Sequence, residues 1–75
     1  MNNKALEEFY REHLEEDIIF CLAEHKKISA EEAMHLYYSS RLCDLIFEGV
    51  YGIQYLDYHV LTAYLEEELQ VAGRK

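Results

Sequence analysis

Few residues in this chain can interrupt a helix, because its 75 residues include no proline and only three glycines, Gly49, Gly52 and Gly73. Both residue types weaken helix interiors: proline removes a backbone donor, and glycine loses more backbone entropy on folding. Apolar residues recur at steps of three and four, which places them on one helix face. The pattern predicts an all-α fold, a compact bundle of three to four helices with short connections.

The first predicted helix runs from Asn3 to Lys26, and its end carries the cations that suit the negative end of a helix dipole. Its predicted apolar face consists of Leu6, Tyr10, Leu14, Ile18, Cys21, Leu22 and His25. Glutamates occupy much of the rest: Glu7, Glu8, Glu12, Glu15 and Glu16. We therefore expect one buried stripe along the whole helix.

Capping residues mark the next two helices. Ser29 and Glu32 form a capping box, so the second helix is predicted to begin at Ala30. Its predicted inward residues are Ala33, Met34 and Tyr37. Ser39-Ser40 offers a second cap before a third helix, Arg41–Glu48, which Gly49 is expected to end. Its predicted inward residues are Leu42, Leu45 and Ile46.

Residues 49–56 are ambiguous, since two glycines three apart indicate a turn that either a short extended piece or a loose helical turn could follow. Asp57 can then cap a fourth helix over residues 58–72. The predicted apolar face of that helix consists of Val60, Leu61, Tyr64, Leu65 and Leu69. Residues 73–75 are expected to be a frayed basic end.

The length predicts a single helical domain over residues 1–75, with a small core. Domains of this size often oligomerise or add staples, so a homodimer or an obligate partner is an open possibility. The N-terminal residues do not resemble a signal peptide, and the longest apolar run, residues 18–23, is too short to span a bilayer. We therefore expect no membrane association, a cytoplasmic location and free thiols at Cys21 and Cys43.

The residues that could carry chemistry are poorly arranged for it. His13, Asp17, Cys21 and His25 are four residues apart. Neighbouring pairs could meet, but each step drifts about 40° around the helix, so all four cannot hold one metal ion. Adjacent glutamates point about 100° apart, and neither a nucleophile motif nor a glycine-rich phosphate loop is present. We expect no enzymatic activity, no metal and no cofactor.

Charge and tyrosines are the remaining signal. The net charge is −8, and residues 42–73 contain six acids but neither lysine nor arginine. Such a segment is poorly suited to binding nucleic acid directly, because phosphate contacts depend on Lys and Arg. Five of the seven tyrosines lie between Tyr38 and Tyr64. The predicted partner-binding residues are Tyr38, Tyr51, Tyr55, Tyr58, Glu66 and Glu67. The alternative is that these tyrosines are scattered singly and the acids only solvate the helices.

The order of these features resembles a family of short bacterial helical proteins of unknown function. The similarity covers roughly residues 17–69. It rests on residues 18–25 (Ile-Ile-Phe-Cys-Leu-Ala-Glu-His), 28–33 (Ile-Ser-Ala-Glu-Glu-Ala), 36–38 (Leu-Tyr-Tyr) and 64–67 (Tyr-Leu-Glu-Glu). Family members commonly carry a Leu-His pair where this chain has Tyr51-Gly52-Ile53-Gln54. Their genes often lie beside genes resembling ADP-ribosyltransferase toxins, so the resemblance implies an antitoxin-like role and assigns no individual residue.

Three functions follow as hypotheses. The leading one is a small acidic protein-interaction module that binds and restrains a partner protein, one that is basic or carries a basic patch. The second is a nucleic-acid mimic, a phage or bacterial inhibitor whose carboxylates occupy a basic groove. The third is a structural subunit of a homo-oligomer, which predicts a melting temperature that depends on concentration.

Overall fold

Four α-helices and one 3₁₀ segment make up the computed structural model, which describes residues 3–73. The α-helices are α1 (Asn3–Lys26), α2 (Ala30–Tyr38), α3 (Arg41–Glu48) and α4 (Tyr58–Gly73), and the 3₁₀ segment spans Val50–Tyr55. The described residues include no strand, so the all-α prediction is confirmed. The fourth helix ends one residue later than predicted. Arg74 and Lys75, part of the predicted frayed end, lie outside the described residues.

The helices begin at the predicted caps. The Glu32 backbone N–H donates to Ser29 Oγ at 3.0 Å, and the Cys43 N–H donates to Ser40 Oγ at 3.1 Å. The His59 N–H donates to Asp57 Oδ1 at 2.7 Å. Each oxygen satisfies one of the four N–H groups that a helix start leaves unpaired. The His59 N–H also lowers the pKa of the Asp57 carboxyl.

The connections rely on left-handed backbone. Gly49 ends α3 with φ +69°, as predicted. Lys27 follows α1 with φ +57°, and the Ile28 N–H donates to the Ala23 carbonyl at 3.0 Å, which is the Schellman arrangement that glycine usually completes. Val50–Tyr55 forms a 3₁₀ segment that is interrupted at Tyr51 and Gly52, both of which have positive φ. That conformation is the loose helical alternative of the two that the sequence allowed.

One hydrophobic core receives residues from all four α-helices. α1 contacts both α2 and α4. It contributes Leu14, Ile18, Ile19 and Leu22. Each shorter helix inserts two apolar residues four apart: Ala33 and Tyr37 from α2, Leu42 and Ile46 from α3, and Leu61 and Leu65 from α4. Residues four apart lie on the same face of a helix, so each of these helices buries a stripe that is only one residue wide.

Six residues predicted to face inward are instead exposed. They are Leu6, Tyr10, His25, Met34, Val60 and Tyr64. The His25 ring reaches Glu66 on α4 and does not enter the core. Met34, Val60 and Tyr64 flank the narrow buried stripes, so their side chains remain in solvent. Leu6 and Tyr10 are exposed for a different reason, the length of α1: a 24-residue helix is about 36 Å long, whereas α2 is only about 13 Å and α4 about 24 Å.

The molecule is accordingly elongated, with extents of 47 × 24 × 19 Å. Leu14 is the first buried apolar residue of α1. The three turns that precede it therefore present apolar side chains outside the core. Within the part of the chain that the structure describes, no helix is both long and apolar enough to cross a bilayer.

Candidate protein-binding surface

The first half of α1 carries an apolar stripe that the core does not cover. Leu6 and Phe9 are each 60% exposed, and Tyr10 is 46% exposed. Large apolar side chains grouped on a surface are typical of interaction sites, whereas single ones are ordinary. The stripe continues across the neighbouring elements, because the Tyr10 and Tyr55 rings lie 5.8 Å apart between centroids.

A cleft of about 300 Å³ separates this stripe from the end of α3 and the 3₁₀ segment. Leu6 and Tyr10 line one side, and Phe47 and Tyr55 line the other. The Arg11 guanidinium carbon lies 4.8 Å from the centre of the Phe47 ring, a cation–π arrangement. The cleft therefore offers three exposed aromatic rings, Tyr10, Phe47 and Tyr55, and one cation held against an aromatic face.

A second groove, also of about 300 Å³, lies on the α4 side of the 3₁₀ segment. Its lining residues are Leu45, Val50, Tyr51, Ile53, Leu56 and Tyr64. Tyr51 stands fully in solvent at φ +57°, a conformation that costs a non-glycine residue about 1–2 kcal/mol. The turn therefore holds a tyrosine at its tip despite backbone strain.

The cleft and the groove together form what we call the aromatic surface. It comprises Leu6, Tyr10, Phe47, Tyr51, Tyr55 and Tyr64. Carboxylates of Glu7 and Glu48 also line the cleft. Tyr55 and Tyr51 were predicted as partner-binding residues, and the structure places them on the two sides of this surface. Leu6, Tyr10, Phe47 and Tyr64 were not among the predicted partner-binding residues. For Leu6 and Tyr10, apolar residues on a helix longer than its neighbours are a signal in the sequence that points to this surface.

The other predicted tyrosines have different environments. Tyr58 is half-buried, packs against the core and stacks on His59 with ring centroids 4.1 Å apart. It shares a cavity with Tyr10 and Tyr55. Tyr38 is exposed at the end of α2, and burial followed by the neighbouring carboxylates, Glu15 first, raises the pKa of its hydroxyl. Tyr38 does not line the cleft or the groove.

Of the predicted acids, Glu67 is exposed and Glu66 already has a partner within the protein. The Glu66 carboxylate lies 2.8 Å from His25 Nδ1. Neighbouring Glu68 receives the Arg41 N–H at 2.7 Å and the Leu42 N–H at 3.2 Å, so it caps α3 from α4. A carboxylate there satisfies free N–H groups and complements the positive end of the helix dipole. The acidic run at residues 66–68 is therefore partly structural.

The structure also buries one acid that was predicted to lie on the outer face of α1. Glu15 is 7% exposed, and the Tyr37 hydroxyl donates to its Oε2 at 2.8 Å. Burial, and then this hydrogen bond, raise the pKa of Tyr37 far above its ordinary value. The pKa of the Cys43 thiol is also raised, first by burial and then by Glu15. The Tyr37–Glu15 hydrogen bond joins α2 to α1.

The cysteine and histidine positions of α1 do not assemble a metal centre. Among the described residues, no group of three His, Cys, Asp or Glu side chains is placed to hold a metal ion. Cys21 is buried, as predicted, and both it and Cys43 are free thiols. His25 is exposed instead of facing inward, and it contacts Cys21 within α1 as well as Glu66 on α4.

Comparisons of the chain with models of protein families, with curated proteins and with solved structures find no match. The interpretation of the aromatic surface therefore depends on its geometry and charge.

Proposed function

We propose that this protein is a small acidic interaction module that binds and restrains a basic partner protein, in the manner of an antitoxin. The observation that carries the proposal is the cleft at the aromatic surface. Leu6, Phe47 and Tyr55 line it, and each is at least 60% exposed. Aromatic anchors in such clefts supply much of the binding energy of protein interfaces.

The charge of the chain favours a basic partner. The net charge is −8, which attracts a positively charged protein and raises its rate of association. Glu7 and Glu48 place carboxylates beside the apolar lining of the cleft. A partner segment with an apolar side chain flanked by lysine or arginine would complement both features. The family resemblance noted above supports the antitoxin-like role.

The test is capture of the partner with tagged protein from a lysate of its own source, in reducing buffer, followed by mass spectrometry. The informative bait is the triple variant Leu6→Ser, Phe47→Ser and Tyr55→Ala. These side chains are mostly in solvent, so the variant should fold. Tyr58 is left intact because it packs against the core, where its loss would confuse unfolding with lost binding.

Phe20→Ser provides the matched control, since Phe20 is 61% exposed but does not line the cleft or the groove. We expect a basic protein to remain bound to the wild type and to this control after a high-salt wash, and to be lost from the triple variant. Equal recovery of that protein with all three baits would refute the aromatic surface as the binding site.

Self-association is a second candidate, favoured by the uncovered stripe on α1. Two copies would each bring a charge of −8, and this repulsion opposes pairing. Melting temperatures measured across a hundredfold range of concentration distinguish the candidates. A melting temperature that rises with concentration in the wild type, but not in the triple variant, would favour the homo-oligomer.

The nucleic-acid mimic ranks lower because it needs carboxylates that are free to face a basic groove. Glu15, Glu66 and Glu68 instead make hydrogen bonds within the fold. Binding that disappears at high salt and competes with DNA would reverse this order. We also propose a cytoplasmic location, which free thiols at both cysteines support.

A further inference from the structure

A second cavity, separate from the aromatic surface, lies between the C-terminal half of α1 and the start of α4. Its volume is about 500 Å³, and Phe20, Cys21 and His25 line it together with Tyr58 and His59. Asp17 and Glu24 add two carboxylates to the lining. The cavity thus gives an otherwise buried cysteine a path to solvent.

Cys21 and His25 on α1 and Glu66 on α4 form a chain of side-chain contacts beside this cavity. Cys21 Sγ lies 3.7 Å from His25 Nε2, and His25 Nδ1 lies 2.8 Å from Glu66 Oε2. An ionised carboxylate can only accept, so His25 Nδ1 must carry the proton and donate a hydrogen bond to Glu66. In the neutral imidazole this leaves Nε2 as an acceptor directed at the Cys21 thiol.

This arrangement is one that activates a nucleophile: a thiol beside a base that a third group orients. Cys21 and His25 meet because they are one helical turn apart, whereas Glu66 is brought to them only by the packing of α4 on α1. The Cys21–His25 spacing is visible in the sequence, whereas the position of Glu66 beside them is not.

We propose that Cys21 is a modification site that forms a mixed disulfide with small cationic disulfides. The Cys21 thiol gives its proton to His25 Nε2, and the sulfur attacks one sulfur of the reagent. The reagent's S–S bond breaks while the Cys21–sulfur bond forms, and the departing thiolate takes the proton from His25 and leaves as a thiol. Glu66 is a positioning residue, because its contact with His25 Nδ1 holds the imidazole with Nε2 facing the thiol.

The preference for a cationic reagent follows from Asp17 and Glu24 at the cavity and from the charge of the whole chain. Carboxylates attract a protonated amine and repel a second carboxylate. Cys43 provides an internal comparison in the same molecule. Its neighbour is Glu15 rather than an imidazole, and burial raises the pKa of its thiol, so it should react slowly.

The experiment measures the modification of each cysteine by cystamine at pH 7, using acid quenching and peptide mass mapping. We expect Cys21 to react about tenfold or more faster than Cys43, and His25→Ala to lower the Cys21 rate by about tenfold, a modest effect for a general base. Added imidazole should restore part of the Cys21 rate in His25→Ala and leave Cys43 unchanged. The anionic reagent dithiodiglycolic acid should react more slowly than cystamine.

Glu66→Gln tests the positioning role, since it keeps the size of the side chain. It should slow Cys21 in the wild-type background and have no further effect in His25→Ala, which a merely structural role would not produce. Equal rates at the two cysteines, or a Cys21 rate that His25→Ala does not change, would overturn the proposal. Circular dichroism of each variant confirms that the helices remain, so a loss of rate cannot be attributed to unfolding.

Discussion

The two halves of α1 share one sequence pattern, but the apolar face of one half is buried and that of the other is exposed. Residues 3–13 and residues 14–26 both place apolar side chains at steps of three and four among glutamates. In the second half Leu14, Ile18 and Leu22 are buried, whereas in the first half Leu6 and Phe9 are in solvent. An amphipathic pattern therefore identifies the apolar face of a helix, but it does not show whether another element covers that face.

The largest contrast between the halves should appear on truncation of one aliphatic side chain in each. Ile18→Ala removes a fully buried side chain and should lower the free energy of unfolding by about 2–5 kcal/mol. Leu6→Ala should change it by less than about 0.5 kcal/mol, because Leu6 is mostly in solvent. Urea denaturation of both variants is the measurement. Similar losses would mean that the first half of α1 is covered in solution, for example by a second copy.

Disturbing Glu15, the buried glutamate in the second half of α1, should cause the next largest loss of stability. Tyr37→Phe leaves the Glu15 carboxylate without its donor and should cost about 2 kcal/mol. For a domain of this size each kcal/mol corresponds to roughly 4–8 °C in melting temperature. Tyr10→Phe in the first half is the matched control and should leave the melting temperature unchanged. A neutral Tyr37→Phe would show that the carboxylate finds another partner.

Alkaline pH should lower the stability of the fold through the hydrogen-bonded pair Tyr37 and Glu15. The pKa of Tyr37 is raised in the folded state, so the neutral hydroxyl is favoured there while the unfolded chain ionises near its ordinary value of about 10. The stabilisation is complete below pH 10 and is lost as pH rises above it, by roughly 1 kcal/mol for each pH unit. Melting temperatures measured between pH 8 and 11 should fall steeply above pH 10 for the wild type and less steeply for Tyr37→Phe. Parallel curves would contradict the assignment.

A substitution at Lys27, which follows the packed half of α1, should make the protein more stable. Lys27 holds a left-handed conformation with φ +57°, which glycine adopts without a steric penalty. Lys27→Gly should therefore raise the free energy of unfolding by about 0.5–1 kcal/mol, the steric penalty less the entropy cost of glycine, as thermal melts can determine. Lys26→Gly, one residue earlier and within the helix, should instead lower stability. Destabilisation by both substitutions would show that Lys27 makes contacts worth more than its strain.

The smallest expected effect concerns the tip of the turn. Tyr51 is fully exposed at positive φ, so Tyr51→Asn should stabilise the fold by a few tenths of a kcal/mol, because asparagine tolerates this conformation better. The same substitution should weaken binding to the captured partner. Opposite signs for stability and binding would indicate that strain is kept for recognition, and unchanged binding would remove Tyr51 from the aromatic surface.

The helices themselves were predictable, because the signals that define them are local. Ser29, Ser40 and Asp57 cap the next helix within three residues along the chain, and Gly49 ends α3 through its own backbone freedom. The candidate site was predictable only in part. Tyr51 and Tyr55 were recognised from composition, whereas Leu6 and Phe47 come together from opposite ends of more than forty residues of chain.

The sequence by itself determined an acidic all-α chain, its helix boundaries and the approximate apolar face of each helix, since these depend on contacts within one or two turns. Tertiary structure alone decided that Glu15 is buried beneath Tyr37, that Glu66 faces His25 and that Glu68 caps α3. It also left half of the apolar face of α1 uncovered. These outcomes depend on relative helix lengths and packing, which join side chains 22 to 41 residues apart, beyond the reach of any local pattern.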